Sequence, residues 1–160
     1  QVINRAGRFD VQKAQENQVP MAAWSRLQKN ETVVVEDREY TPDMVLGKPR
    51  KGLKVTYCTD TRPVPVIAEM AYKSDLFICE GMYGEPGMSA KARENRHMTF
   101  TEAAELARKA EVSELWLTHF SPSLVRPNLF MAEVRKIFPD AKAGKERRSR
   151  TLTFDREQEM

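Results

Sequence analysis

Cysteine and histidine are scarce in this chain of 160 residues, with two of each. Cys58 and Cys79 both lie inside apolar stretches. That placement predicts buried thiols rather than a disulfide, and with them a reducing, cytoplasmic setting. Two histidines, His97 and His119, fall short of the dense clusters that mark a self-sufficient zinc centre, because a catalytic zinc takes three protein ligands and a water. No apolar run approaches the roughly 18 residues of a membrane span, so no membrane association is expected. No charged-then-apolar leader is visible in these residues, so no signal peptide is expected. The first residue is Gln1 and not methionine, which suggests a processed or truncated product. Charge of one sign is also lacking: 26 Lys and Arg stand against 23 Asp and Glu, a net +3 that permits a polyanionic partner without demanding one. No internal repeat or low-complexity segment stands out.

With 41% hydrophobic and 31% charged residues, the chain has the composition of an ordinary soluble protein, long enough to bury one core. Residues 5–54 are polar and irregular. Short helices are expected over 11–17 and 22–27, a strand over 31–36, and a turn near Asp37-Arg38. Thr41-Pro42-Asp43 offers a cap with proline at the first helical position, and Gly47-Lys48-Pro49-Arg50-Lys51-Gly52 reads as a basic linker. From Leu53 strand and helix alternate. Helices are expected over 64–72, opening with Pro65, behind the capping box Thr99-Phe100-Thr101-Glu102, and over 128–138. A last strand is expected over 150–154. Repeated β-then-α order gives an α/β fold with right-handed crossovers.

Three apolar runs stop on a polar residue. Val55-Thr56-Tyr57-Cys58 leads through Thr59 to Asp60, with Thr61, Arg62 and Pro63 behind it. Leu76-Phe77-Ile78-Cys79 stops at Glu80, and Leu115-Trp116-Leu117-Thr118 at His119, followed by Phe120 and Ser121. His97 sits just before a helix. Ligands of open α/β sheets bind outside the carboxyl ends of the strands, so Asp, Glu and His delivered to one edge read as a metal or phosphate site. Each residue alone has a plainer reading: Asp60 as a helix cap, Glu80 as a loop charge, His119 as a structural histidine, His97 as a surface residue.

These segments resemble the ribonuclease Z family of metallo-β-lactamase-fold endonucleases. Thr59-Asp60-Thr61-Arg62 is similar to the family's Gly-Asp-Thr-Arg motif, Cys79-Glu80-Gly81-Met82 to His-Glu-Ala-Thr, and His97-Met98-Thr99 to His-Ser-Thr. Leu117-Thr118-His119-Phe120-Ser121 matches Leu-Thr-His-Phe-Ser throughout. Gly7-Arg8-Phe9-Asp10-Val11 and Pro49-Arg50-Lys51-Gly52 also resemble family segments. The family's His-x-His-x-Asp-His motif, which supplies most zinc ligands, has no counterpart here, so the resemblance is to a C-terminal half.

The resemblance implies one half of a four-layer αββα sandwich, with residues 8–48 as an arm-like, tRNA-gripping insertion. The family's Gly-Pro pair in that arm is replaced by Met21-Ala22-Ala23. It implies two zinc ions, with Asp60 bridging them and His119 binding one. His97 would act as proton donor assisted by Glu80, and Arg62 and Ser121 would contact substrate. The implied activity is zinc-dependent cleavage at the 3′ end of precursor tRNA, with the fragment inactive alone and short of ligands for tight zinc. Two other readings remain open: a phosphodiesterase of the same fold acting on another RNA or a small diester, and a non-catalytic RNA-binding or assembly module. Strands apolar on both faces lose a partner sheet in a half-fold. The isolated chain is therefore expected to self-associate as a homodimer or to stay bound to its missing N-terminal half.

Overall fold

The computed structural model describes residues 1–154, which divide into two compact units: residues 3–52 with Phe154, and residues 1–2 with 53–153. One sheet runs in the order β1 (Val2–Arg5), β4 (Arg50–Cys58), β5 (Leu76–Glu80), β6 (Leu115–Thr118), β7 (Ala141–Ala143), with β1 from Ile3 and β4 up to Gly52 counted in the smaller unit and the rest in the larger. From β4 to β7 each strand is parallel to the next. Parallel neighbours need crossover connections, and helices α3 (Pro65–Ala71), α5 (Phe100–Lys109) and α6 (Met131–Ile137) lie in them.

Register explains which side chains the helices cover. Cys58 faces Cys79, which faces Leu117, which faces Ala143, and the next row is Phe77, Leu115 and Ala141. Side chains alternate along a strand, so these rows share one face. They form the main core with Ile67, Ala71, Phe100, Ala104, Ala107, Met131 and Val134 of the helices. The chain thus supplies a sheet and one helical layer, two of the four layers expected. The other face carries Tyr57, Ile78, Trp116 and Lys142 in register. There Tyr57 is exposed, while Trp116 is buried. Arg148 lies 5.6 Å over the Trp116 ring. The Trp116 indole donates to Glu114 (2.6 Å), which also receives Lys142 (2.6 Å) and Arg150 (3.3 Å). Burial works to raise the Glu114 carboxyl, and these donors outweigh it, leaving it below the usual carboxylate range.

The helix starts follow local chemistry. Thr99 caps α5 through a full capping box, its hydroxyl accepting from Glu102 N–H while the Glu102 carboxylate receives Thr99 N–H. Pro65 stands in the first turn of α3, where a missing N–H costs nothing. Some expectations are corrected. The last strand is Ala141–Ala143, and residues 150–154 carry no regular structure. The basic linker is cut short, because β4 already begins at Arg50. The helix expected over 128–138 is a 3-10 turn, Pro127–Phe130, followed by α6. Helix α4 (Ser89–Glu94) and strand β1 had no sequence expectation.

In the smaller unit, α1 (Val11–Glu16) is capped by Asp10, whose carboxylate accepts from Lys13 N–H, and α2 (Met21–Gln28) follows. Strands β2 (Val33–Val35) and β3 (Arg38–Tyr40) form an antiparallel hairpin. Its two turn residues, Glu36 and Asp37, both have positive φ (49° and 61°), as a type I′ turn requires. Arg38 therefore belongs to a strand and not to the turn. Ala14, Ala23, Leu27, Val33, Tyr40 and Val45 make this unit's own core. Pro42–Met44 is a 3-10 turn that Thr41 precedes without a side-chain bond to it.

Candidate metal centre

The carboxyl ends of β4, β5 and β6 meet at one place. Just beyond β4, Asp60 has φ 53°, and just beyond β6, His119 has φ 56°. Both are left-handed conformations that L-residues adopt at a cost. They turn Asp60 and His119 toward each other, with His119 Nε2 3.0 Å from Asp60 Oδ1. His97, two residues before the α5 cap, brings its ring to 5.4 Å from that of His119. One donor atom from each of Asp60, His97 and His119 lies within 4.8 Å of the others. A carboxylate and two imidazoles are the ligand types that zinc takes, so the donor set fits a metal ion. The sequence pointed to two ligands in this half; the structure adds His97 to their group.

Glu80 stands behind this trio. Its side chain is fully buried, whereas those of Asp60 and His119 are 62% and 39% exposed, so Glu80 is no open ligand. Its Oε2 lies 3.0 Å from His97 Nδ1 and accepts from Met98 N–H at 3.3 Å, while Oε1 accepts from Thr61 N–H. A buried carboxylate needs such partners, and here they fix the His97 ring as outer carboxylates fix metal-site histidines.

Arg62 is engaged within the chain. Its guanidinium binds both Glu102 carboxylate oxygens and donates to the His97 carbonyl. Burial pushes the Glu102 carboxyl up, but the bonds from Arg62 and Thr99 prevail and hold it below the usual range. Ser121 pairs its hydroxyl with that of Ser123 (2.8 Å) and donates its N–H to the Met82 carbonyl. Sequence reasoning found Glu102 only as a capping residue. Nothing in the sequence marks it as the partner of Arg62, since the pair spans 40 positions.

Strand ends presenting Asp, Glu and His over a half-buried cluster define a metal-site fold, and the Beta-lactamase superfamily domain matches residues 6–120. The chain belongs to that superfamily. Among curated relatives, it is 60% identical over 154 residues to Ribonuclease Z of Lachnoclostridium phytofermentans, covering 96% of this chain and 51% of that protein. It is 59% identical over 155 residues to Ribonuclease Z of Lachnospira eligens, covering 97% and 51%. The chain therefore spans about half the length of the curated relatives it matches. Of solved structures, the metallo-beta-lactamase fold protein YhfI from Bacillus subtilis superposes with a TM-score of 0.50 at 24% identity, covering 57% of this chain and 36% of that one. That likeness shows the fold.

Proposed function

We propose that this chain is the C-terminal half of a zinc-dependent endoribonuclease that cleaves the phosphodiester at the 3′ end of precursor tRNA. The observation that carries the reading is the meeting of Asp60, His97 and His119 above the buried Glu80. The relatives named Ribonuclease Z support the choice of substrate.

Asp60 would hold metal through its exposed carboxylate, and His119 would hold it through its ring. Bound zinc would supply Lewis-acid stabilisation of the attacking and leaving oxygens. The rest falls to the chain's own groups. Glu80 takes the Nδ1 side of His97, which leaves Nε2 as the atom that gives a proton to the departing 3′ oxygen. Arg62 acts on position and not on substrate directly, because its bonds fix the His97 carbonyl and the start of α5. Ser121 offers its hydroxyl to a substrate phosphate oxygen. Residues 8–48 serve as the arm that grips tRNA away from the cleaved bond.

Remaining metal ligands come from an N-terminal half, so the chain alone is inactive and binds zinc weakly. The full protein works in the cytoplasm as a homodimer. The test is cleavage of a precursor tRNA and of a small phosphodiester by the full-length protein and by the chain alone, with zinc measured on each after dialysis. Cleavage of the RNA by the full-length protein only is expected. Cleavage of the small diester alone would overturn the substrate, and tightly held stoichiometric zinc on the isolated chain would overturn the incomplete ligand set.

A further inference from the structure

Cys58 and Cys79, the two cysteines of the chain, are brought side by side by the sheet. They are register partners on the parallel strands β4 and β5, and both side chains join the helix-covered core. Neighbouring strands lie about 4.8 Å apart, inside the range of about 4.4–6.8 Å that separates the Cα atoms of a disulfide. The two thiols interact directly with each other. Their exposure differs: Cys79 is fully buried and Cys58 only half-buried, so a small oxidant meets Cys58 first with Cys79 beside it. The pair adjoins the metal centre. Glu80 follows Cys79 directly, and Asp60 follows Cys58 by two residues. Cys79 Sγ also touches Met98 Sδ at 3.7 Å, and Met98, next to His97, donates its N–H to Glu80 Oε2 at 3.3 Å.

We propose that Cys58 and Cys79 are an oxidative modification site, closing under hydrogen peroxide into a reversible disulfide that disturbs the metal centre. The inference rests on the RNA-cleaving reading above for its effect on cleavage alone. The Cys58 sulfur attacks one peroxide oxygen; the O–O bond breaks, water leaves with the thiol proton, and Cys58 becomes a sulfenic acid. The Cys79 sulfur then attacks the Cys58 sulfur, the S–O bond breaks, and the Cys79 proton leaves with the hydroxyl as a second water. Two thiols have lost two electrons and the peroxide has gained them. Side chains of register partners project in parallel, so their Cβ atoms keep about the 4.8 Å strand spacing. A disulfide holds Cβ atoms at about 3.5–4.5 Å, so closure draws the two strand ends together. A bond under that tension is readily reduced, which makes the change reversible. Drawing Cys79 toward Cys58 pulls its sulfur from Met98 and shifts Glu80, the carboxylate that fixes His97. Drawing Cys58 inward displaces Asp60 in turn.

The test uses the full-length protein that carries this chain. It is oxidised with hydrogen peroxide, blocked with N-ethylmaleimide and digested with trypsin, which cuts after Lys54, Lys73 and Lys91. Mass spectrometry should then find peptides 55–73 and 74–91 linked. The oxidised protein should hold zinc about tenfold more weakly in competition with a chelator, and cleave precursor tRNA about tenfold more slowly, the scale of a disturbed partner behind a metal ligand. Dithiothreitol should restore both. Cys58→Ser, a change at the half-buried partner, should behave as the reduced wild type and ignore peroxide. Absence of the linked peptides after oxidation overturns the proposal. So does a linked protein whose zinc affinity equals that of the reduced one, or a Cys58→Ser protein that peroxide weakens as it weakens the wild type. If the reduced wild type cleaves no RNA, the reading in the preceding subsection falls, and the peptides and zinc affinity still decide this one.

Discussion

Arg62 and Glu102, 40 positions apart, are joined twice, from Nη1 at 3.1 Å and from Nη2 at 2.5 Å. The pair ties the loop that carries Asp60 to the helix start that carries His97. Since Glu102 also closes the α5 capping box, one carboxylate serves both the helix and the site.

Arg62→Lys is expected to destabilise the fold by about 1–3 kcal/mol, because an ammonium cannot reproduce the fork and the His97 carbonyl loses its donor. Urea unfolding checks the magnitude. A double-mutant cycle with Glu102→Gln should show clear coupling; additive losses would mean the pair contributes nothing of its own.

Stability should fall in acid through Glu102 and Glu114, whose folded carboxyls titrate below the ordinary 4.5. With the folded value depressed, the unfolded chain binds more protons as pH drops below about 4.5, so stabilisation present above that point is lost on the way down. Urea midpoints at pH 6 and pH 3.5 read this directly. Arg62→Ala should flatten part of the acid slope, and an identical slope would remove Glu102 as its source.

In the full-length protein, Asp60→Asn should lower zinc content and cleavage together. His97→Gln should slow cleavage about 100-fold or more, the scale of a lost general acid, while zinc stays bound. Loss of zinc in His97→Gln would instead make His97 a ligand, as its nearness to Asp60 and His119 permits.

Phe77 is fully buried at the centre of the helix-covered face. Phe77→Ala should cost about 3–5 kcal/mol, the range for emptying a large aromatic site. Chemical denaturation measures it. A loss under about 1 kcal/mol would mean that the surrounding helices collapse into the space.

Tyr57 and Ile78 lie on the sheet face away from the helices, and Tyr57 is 66% exposed. The isolated chain should therefore self-associate at micromolar concentration, with Tyr57→Lys weakening the association. Sedimentation velocity distinguishes this from a stable monomer, which would refute a face that awaits a partner sheet.

The elements legible in the sequence were those whose residues carry their own signal: the Thr99–Glu102 box, Pro65 before an apolar run, and the apolar stretches of β5 and β6. Asp60, Glu80 and His119 were legible because each sits where an apolar run stops, and His97 because it stands just before a capped helix. What was missed depends on neighbours. Ala141–Ala143 has three residues of weak strand preference and is a strand because β6 offers it an edge. Residues 150–154 alternate more suggestively but find no such edge; there Arg150 turns to Glu114 instead. Helix α4 has six residues and no side-chain cap, and so leaves no start signal. The partnership of Arg62 with Glu102 is a product of folding alone.

The left-handed backbone at Asp60 and His119 sets thermostability against chemistry. Glycine at either position would relieve about 1–2 kcal/mol of backbone strain, more than the roughly 0.5–1 kcal/mol of entropy it adds to the unfolded chain. Selection for heat resistance alone would therefore enrich glycine at these two strand ends and discard the metal-binding side chains along with the strain.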